Sequence, residues 1–553
     1  MKMTMRGAAA VLCAGVATAA LAESNQMSTV DAETMSNRLK IVESLTRIAE
    51  NDPTDATIRM KLALVLDNVG MTEEAEWWRQ EAMNINPEIA TTGLIESGED
   101  IPLHEFITSR GAGIPSVCNQ PIGPDVIVGS LHDLRRWGTV GGITAFSVGT
   151  TSCNIGDEWL DWFDNDVRHP VIAQNMYKWE PFSVGDDNGR FKQIGQSWLK
   201  HGFFALSNNI CCPSCSPTDG THLGVGCADP YGAGLNGTFG WLGPRSEVNG
   251  ATGFFYQYPY SSPTGNTTLR GRVQVQNTDL DQADPINADS LYIVEGHYVA
   301  KDDAEAGNKN NNTSYRTINV ASSGSTHTIS FAGSTQREVP AIHHWPQVEA
   351  GVTNVTVDVP GDGRYIVGYN ASDNGDGTWR YEYAVYNQTS EDACTEFSVP
   401  VPAGVTITNI SFHDVDSHSG EPYDNTDWTG AHTGGAVTWS APAFSPSDDR
   451  NAVRWGTLYN FGFVADTAPV AASTNLVHLS GATSPAFDVA APEVGVPPCP
   501  GDLNNDGTVD TADLGLILGA FGTTSQAADI NGDGTVDTAD LGILLAEFGP
   551  CPT

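Results

Sequence analysis

Residues 364–388 read RYIVGYNASDNGDGTWRYEYAVYNQ. Two runs rich in Tyr, Val and Ile alternate apolar with polar side chains, and DNGDG at 373–377 separates them. Aromatic and β-branched side chains suit a pleated, half-buried surface, while Gly, Asn and Asp supply the backbone angles of a tight reversal. The stretch therefore predicts a β-hairpin. The same pattern extends to both sides: NVTVDV (354–359), EFSVPV (396–401), VTITNISFHDV (405–415), AVTWSAP (436–442) and LYNFGFVAD (458–466), bounded by GDG, PAG and PSDD turns. Seven short strands at this spacing predict a β-sandwich over residues 346–467.

The fold class expected for the whole chain is multidomain and mainly β. An N-terminal helical hairpin comes first, then a β-rich central domain, the sandwich of immunoglobulin-like or jelly-roll type, and a C-terminal pair of loop-helix units. The chain has 553 residues, too many for one core. Lys and Arg total 27 against 67 Asp and Glu, a net charge of −40. Such a surface repels phosphate backbones, so nucleic acid is not the expected partner. Residues 1–22 read as a signal peptide: Lys2 and Arg6 precede an Ala-rich apolar run, and Ala20-Leu21-Ala22 offers a cleavage site. No later stretch reaches the length of a membrane span. A secreted, extracellular or cell-surface location follows. Export makes disulfides the reading for the nine remaining cysteines, Cys118, Cys153, Cys211, Cys212, Cys215, Cys227, Cys394, Cys499 and Cys551, with one left over. Residues 468–500, rich in Ala, Pro, Ser and Val, read as a linker.

The helical signal lies in residues 31–92. DATIRMKLALVLDNVGMTEEAEWWRQEAMNINPEIA (55–90) places Leu62, Ala63, Gly70, Ala75, Ala82 and Pro87 so that it resembles a tetratricopeptide repeat. One such repeat cannot bury its own face, so it is read as a cap docked on the next domain rather than as a peptide-binding array.

The C-terminal segment 501–551 repeats itself. GDLNNDGTVDTADL (501–514) and ADINGDGTVDTADL (528–541) each run into an apolar stretch, LGLILGAFG and LGILLAEFG. Calcium takes six or more hard oxygens from a loop that turns sharply at glycine. Asp502, Asn504, Asp506, Thr508, Asp510 and Asp513 stand at positions 1, 3, 5, 7, 9 and 12 of the first loop. Asp529, Asn531, Asp533, Thr535, Asp537 and Asp540 repeat them in the second. Two Ca2+ ions are expected. Aspartate at position 12 and no helix ahead of either loop make the segment similar to a type I dockerin domain. That resemblance implies a cohesin-like domain or cell-surface scaffold as partner, contacted through Thr511, Ala512, Thr538 and Ala539 at positions 10 and 11. Eight aspartates without one Lys or Arg make the fold of this segment calcium-dependent. Cys499 and Cys551 bracket it and are read as a disulfide clasp.

Residues 115–345 match no familiar pattern. Eight histidines lie there, and His132, His169, His201 and His222 beside Trp- and Gly-rich turns are the candidates for a transition-metal site. In IGDEWLDWFDNDVRHP (155–170) Trp159, Trp162, Phe163 and Val167 recur at helical spacing, leaving the carboxylates on a solvated face. Trp137, Trp241, Trp345, Trp379 and Trp428 could stack on sugars. His413, Asp414, Asp416, His418, Glu421, Asp424 and Asp427 crowd one loop, read as a polar surface loop with a cation as the alternative. No GxSxG or HExxH appears. The leading function is an extracellular protein that binds or degrades polysaccharide or another polymer and is tethered by its C-terminus. The alternatives are a secreted metalloenzyme or redox protein and a structural surface protein. An enzyme here would be a glycan-active hydrolase or a metal-dependent oxidase.

Overall fold

The computed structural model describes residues 118–551, apart from 119–120, 165, 182–190, 203, 239–240, 256–259, 494–498, 505 and 526. It also describes the helix Thr72–Ile85, with Arg59, Leu62, Ala63 and Leu66 ahead of it. The signal segment and most of the expected first helices lie outside the described residues. Leu62, Leu66 and Ala75 join the buried cluster of the first β-domain.

Two sheets build that first domain. The long hairpin of Val126–Val140 and Ile143–Asn154 is extended by Val273–Gln276 and Ala228–Tyr231. The second sheet runs Thr326–Phe331, Thr313–Ser323, Leu291–Val299, Val171–Trp179, Leu199–His201 and Leu242–Gly243, with Phe191–Gln196 also on Val171–Trp179. Val126, Val128, Phe146, Ile172, Met176 and Val294 fill the space between them. Val171–Trp179 is buried on both faces. Ile172 and Met176 point into this core, Val171 and Ala173 into a second cluster, and Tyr177 into a third.

In the second domain the hairpin sits at 364–388. Arg364–Asp373 pairs with Trp379–Asn387 from Tyr365 opposite Asn387 to Asp373 opposite Trp379. The loop between them turns through Gly375 and Gly377, both at positive φ. The five-stranded sheet is Thr353–Asp358, Arg364–Asp373, Trp379–Asn387, Thr457–Ala465 and Ile407–His413. It faces a four-stranded sheet of Thr429–Thr433, Ala436–Ser440, Cys394–Pro400 and Leu476–His478. Odd-numbered Tyr365, Val367, Tyr381, Tyr383, Phe461 and Phe463 fill the core between them. Even-numbered Ile366, Ala384, Tyr386 and Leu458 turn the other way. They pack on Tyr177, Phe191, Ile293 and Trp345 of the preceding region. The side-chain period of two thus lets one sheet serve two cores.

Two expectations need correction. The segment 468–500 is not simply a linker. Pro469–Thr474 pairs with Phe487–Pro492, and Phe487, Val489 and Ala491 are buried in the second domain's core. Small side chains there are the price of fitting a ribbon under a crowded aromatic core, not a sign of disorder. The described residues of 157–169 form no helix. They make turns around Leu160–Asp161, which pairs with His222–Leu223. Trp162 is buried while Trp159 is exposed, so the helical spacing of these rings is coincidental.

Candidate functional site

Each C-terminal loop is organised by its own carboxylates. Asp502 Oδ1 accepts from Asp506 N (3.1 Å) and its Oδ2 from Gly507 N (2.8 Å). Asp506 Oδ1 accepts from Thr508 N (3.0 Å). Asp513, the last position, accepts from Asn504 N at 3.0 Å and from Asp510 N at 2.9 Å. It therefore ties the start of the loop to the start of the helix. The second loop repeats the set: Asp529 accepts from Asp533 N and Gly534 N, Asp533 from Thr535 N, and Asp540 from Asn531 N (2.9 Å) and Asp537 N (2.8 Å). Gly507 and Gly534 occupy position 6 with φ +86° and +93°, the left-handed turn that a side chain resists. The backbone N–H groups of Asp537 and Asn531 hold the Asp540 carboxyl below the usual carboxylate range.

Helices Thr511–Ala520 and Thr538–Ala546 follow, each opened by a reciprocal cap. Asp510 accepts from Ala512 N while Asp513 accepts from Asp510 N, and Asp537 and Asp540 do the same. Val509, Ile517, Ala528, Val536 and Leu544 form a small shared core. Thr508–Val509 pairs with Gly549–Pro550, and Cys499 is bonded to Cys551, so the two ends of the module are closed on one another. Thr511, Ala512, Thr538 and Ala539 are exposed on the first turn of each helix. Leu516, Leu518 and Phe521 on one half, and Leu545 and Phe548 on the other, are exposed as well.

Among the described residues no three His, Cys, Asp or Glu side chains converge as a ready-made cage. In the loops the carboxylates are engaged by N–H groups of the loop itself. A carboxylate oxygen that accepts one such bond keeps a further lone pair, so the donors fit a cation. The set is all oxygen, carboxylates with Asn504 or Asn531 and a Thr carbonyl, which suits calcium and not a soft or imidazole-seeking metal.

Residues 500–548 match the family model described as the dockerin type I domain. The C-terminal module is a type I dockerin. A dockerin is an extracellular calcium-binding module that tethers its chain to a cohesin scaffold. The match ends at the module and leaves both β-domains unassigned. No curated protein matches the chain. Among solved structures, one titled "Biofilm associated protein - BSP domain" shares 9% identity, covering 77% of this chain and 67% of that one at a TM-score of 0.10. At that score the likeness carries no argument. No helix among the described residues is long and apolar enough to cross a membrane.

The four histidines of the expected second metal site are not brought together as a set. His169 Nε2 and His201 Nδ1 lie 2.9 Å apart, and His169 Nδ1 bonds the Phe163 carbonyl. Each ring thus spends a nitrogen on the other. Burial holds His169 down to about 4, and His201 well below its ordinary range. His132 Nδ1 bonds Thr151 Oγ1, and His222 lies 3.4 Å from Asp161 and bonds Thr221. Three of the five candidate tryptophans also depart from a sugar-stacking surface. Trp345 and Trp428 are buried, bonding Glu349 and the Asn451 carbonyl. Trp137 carries Arg135 and Arg272 within 3.9 and 3.7 Å of its ring centroid.

The acidic, histidine-bearing stretch after residue 412 keeps Asp416 and Asp427 at the surface, and it also straps the two domains together. His413 Nε2 bonds the Gln193 carbonyl and His418 Nε2 the Gln196 carbonyl. Glu421 accepts from the backbone of Arg245 and Ser246. Burial holds both histidines near 4, so they remain neutral donors to those carbonyls. Sequence reading missed Arg245, Glu295 and Gly456, which join the domains. The Gly456 carbonyl accepts from Arg245 Nη1 (3.0 Å) and Asn175 Nδ2 (3.1 Å). Glu295 accepts from Asn175, Tyr177 OH and Ala341 N. A Cβ on Gly456 would stand 2.5 Å from Arg245 Nη1, and its φ is +74°. The three other disulfides, Cys118 with Cys212, Cys153 with Cys211 and Cys215 with Cys227, staple the first domain and leave Cys394 buried and free.

Proposed function

We propose that this chain is an extracellular protein whose two fused β-domains are the cargo and whose dockerin attaches them, in calcium, to a cohesin-bearing scaffold. The observation that carries this reading is the twin loop with its position-12 aspartates, Asp513 and Asp540, each tying a loop to its helix. With two ions bound, these loops would hold the exposed starts of both helices, Thr511-Ala512 and Thr538-Ala539, as near-equivalent faces for a cohesin. The finer reading is that the cargo meets a polysaccharide. It is supported by the kind of cargo that dockerins carry and by an open groove between the domains. Asn249, Asp362, Glu391, Asp392 and Asp448 line that groove, and burial raises the Glu391 carboxyl to about 7. A carboxyl that still holds its proton near neutrality, beside other carboxylates, suits polyol recognition or acid catalysis on glycosidic oxygen.

The test is capture of the full chain on immobilised type I cohesins, followed by its retention on insoluble glycans. Capture in calcium that is lost in chelator is expected, as is retention that survives the chelator, because the groove lies on the cargo. Failure of capture on every cohesin removes the scaffold reading. Failure of retention removes the polysaccharide reading and leaves a structural cargo.

A further inference from the structure

A buried amine, a carboxamide and a carboxylate meet where the strand Val171–Trp179 leaves the first core. Lys178 and Asn287 are each 2% exposed and Glu180 is 1% exposed. Lys178 Nζ lies 2.5 Å from Glu180 Oε1 and donates to Asn287 Oδ1. The Asn287 carboxamide is held in one orientation. Its Nδ2 donates to the Thr278 carbonyl at 2.7 Å and to the Asp281 carbonyl at 3.0 Å, which turns the carbonyl end to the lysine. Its backbone is fixed too. Asn287 lies in the short helix Pro285–Asp289, capped by Asp284, directly ahead of Leu291–Val299, where Tyr292 stands opposite Lys178. Lys192 Nζ is 2.8 Å from the same Glu180 oxygen and 3.6 Å from Asp279. Glu180 Oε2 accepts no hydrogen bond among the described residues.

A lysine that only needed its charge balanced would be satisfied by Glu180. Burying a carboxamide against it, with both amide hydrogens tied back, adds an electrophilic carbon beside a nucleophile and a base within reach of each other. We propose that Lys178 and Asn287 become covalently joined by an amide between Nζ and Cγ, with Glu180 as the proton carrier. Glu180 takes a proton from the Lys178 ammonium. The freed Nζ lone pair adds to Cγ, and the carbonyl electrons move onto Oδ1. Glu180 passes its proton to Nδ2, and the Cγ–Nδ2 bond breaks as the carbonyl re-forms. The second proton on the new amide nitrogen leaves by the same carboxylate, so the nitrogen departs as ammonium and Glu180 ends ionised. Nothing is oxidised or reduced. Lys192 keeps Glu180 charge-paired once Lys178 has become neutral. The bond closes a chain segment of sequence separation 109 and fastens two neighbouring strands at their ends. A cargo held at its C-terminal end gains from such a staple, because pulling cannot then peel one strand from the other.

Intact-mass measurement of the purified full chain, with its disulfides counted, tests this. The wild type is expected to fall short of its sequence mass by one ammonia. A tryptic map should yield a branched peptide joining residues 178 and 287, with no cleavage after Lys178. Asn287→Ala and Glu180→Gln should each restore the full mass. Full mass in the wild type overturns the proposal. So does a deficit that maps to a succinimide or to Lys192, or one that persists in Glu180→Gln. If the variants do not fold, the wild-type mass and map still decide.

Discussion

Replacing Asp513 and Asp540 together with alanine should leave the β-domains intact and the dockerin unfolded even in calcium. Each of these carboxylates does two jobs. It accepts from the amides at loop positions 3 and 9, which shapes the loop before any ion arrives. With calcium bound, it would also close the oxygen set around the ion. Ligand count and charge set calcium affinity across many orders of magnitude, so loss of this residue should weaken its loop by at least about 100-fold. An ion present at a thousand times its Kd contributes about 4 kcal/mol to the folded state. Among the described residues the module has a buried core of five side chains to set against that loss. Hydrogen exchange over residues 508–548 should therefore become as fast in the double variant with calcium as in the wild type with chelator. The midpoint of the β-domain unfolding transition should not move, since among the described residues the side-chain hydrogen bonds of the module stay within it. Slow exchange in the double variant would mean that the disulfide between Cys499 and Cys551 and the small core suffice.

The second large effect is expected at Arg245. Its guanidinium is buried between the domains and donates to the carbonyls of Ser197, Gly456 and Gln174 and to Asn175 Oδ1. Its surroundings hold two buried acids, Glu295 and Glu421, whose charge it offsets. Arg245→Met keeps the length and apolar stem but strands those carbonyls and leaves the acids uncompensated. Removing one partner of a buried charge network costs about 3–5 kcal/mol. For domains of this size that is a fall in Tm of roughly 10 °C, read by calorimetry. A fall that small surface substitutions also produce would show that the seam between the domains is held by Trp345, Tyr386 and their apolar neighbours alone.

What could be read from the sequence was local. The hairpin at 364–388 shows in its alternation and its Gly-rich turn, because both signals lie within a few residues of each other. The dockerin loops are legible for the same reason, since every residue of their pattern is fixed by count along one loop. The rest depends on partners far apart in the chain. Ile366 and Tyr386 look like solvent-facing members of an alternating strand until Tyr177 and Phe191 cover them. The ribbon 469–492 was hidden because Ala, Ser and Pro dominate it, although Phe487, Val489 and Ala491 already alternate. The histidines show the converse error. Their neighbourhood in sequence suggested a shared site, but only His169 and His201 meet, and they bond each other. No spacing rule could have joined Arg245 to Gly456, 211 residues away.

The most direct test of the tethering account is a calcium titration of the full chain, followed by hydrogen exchange across residues 508–548. The account predicts that protection of both helices rises from near none to full as two ions bind, and is lost again in chelator. Protection that is already full without calcium, or a titration that binds no ion in these loops, would contradict it.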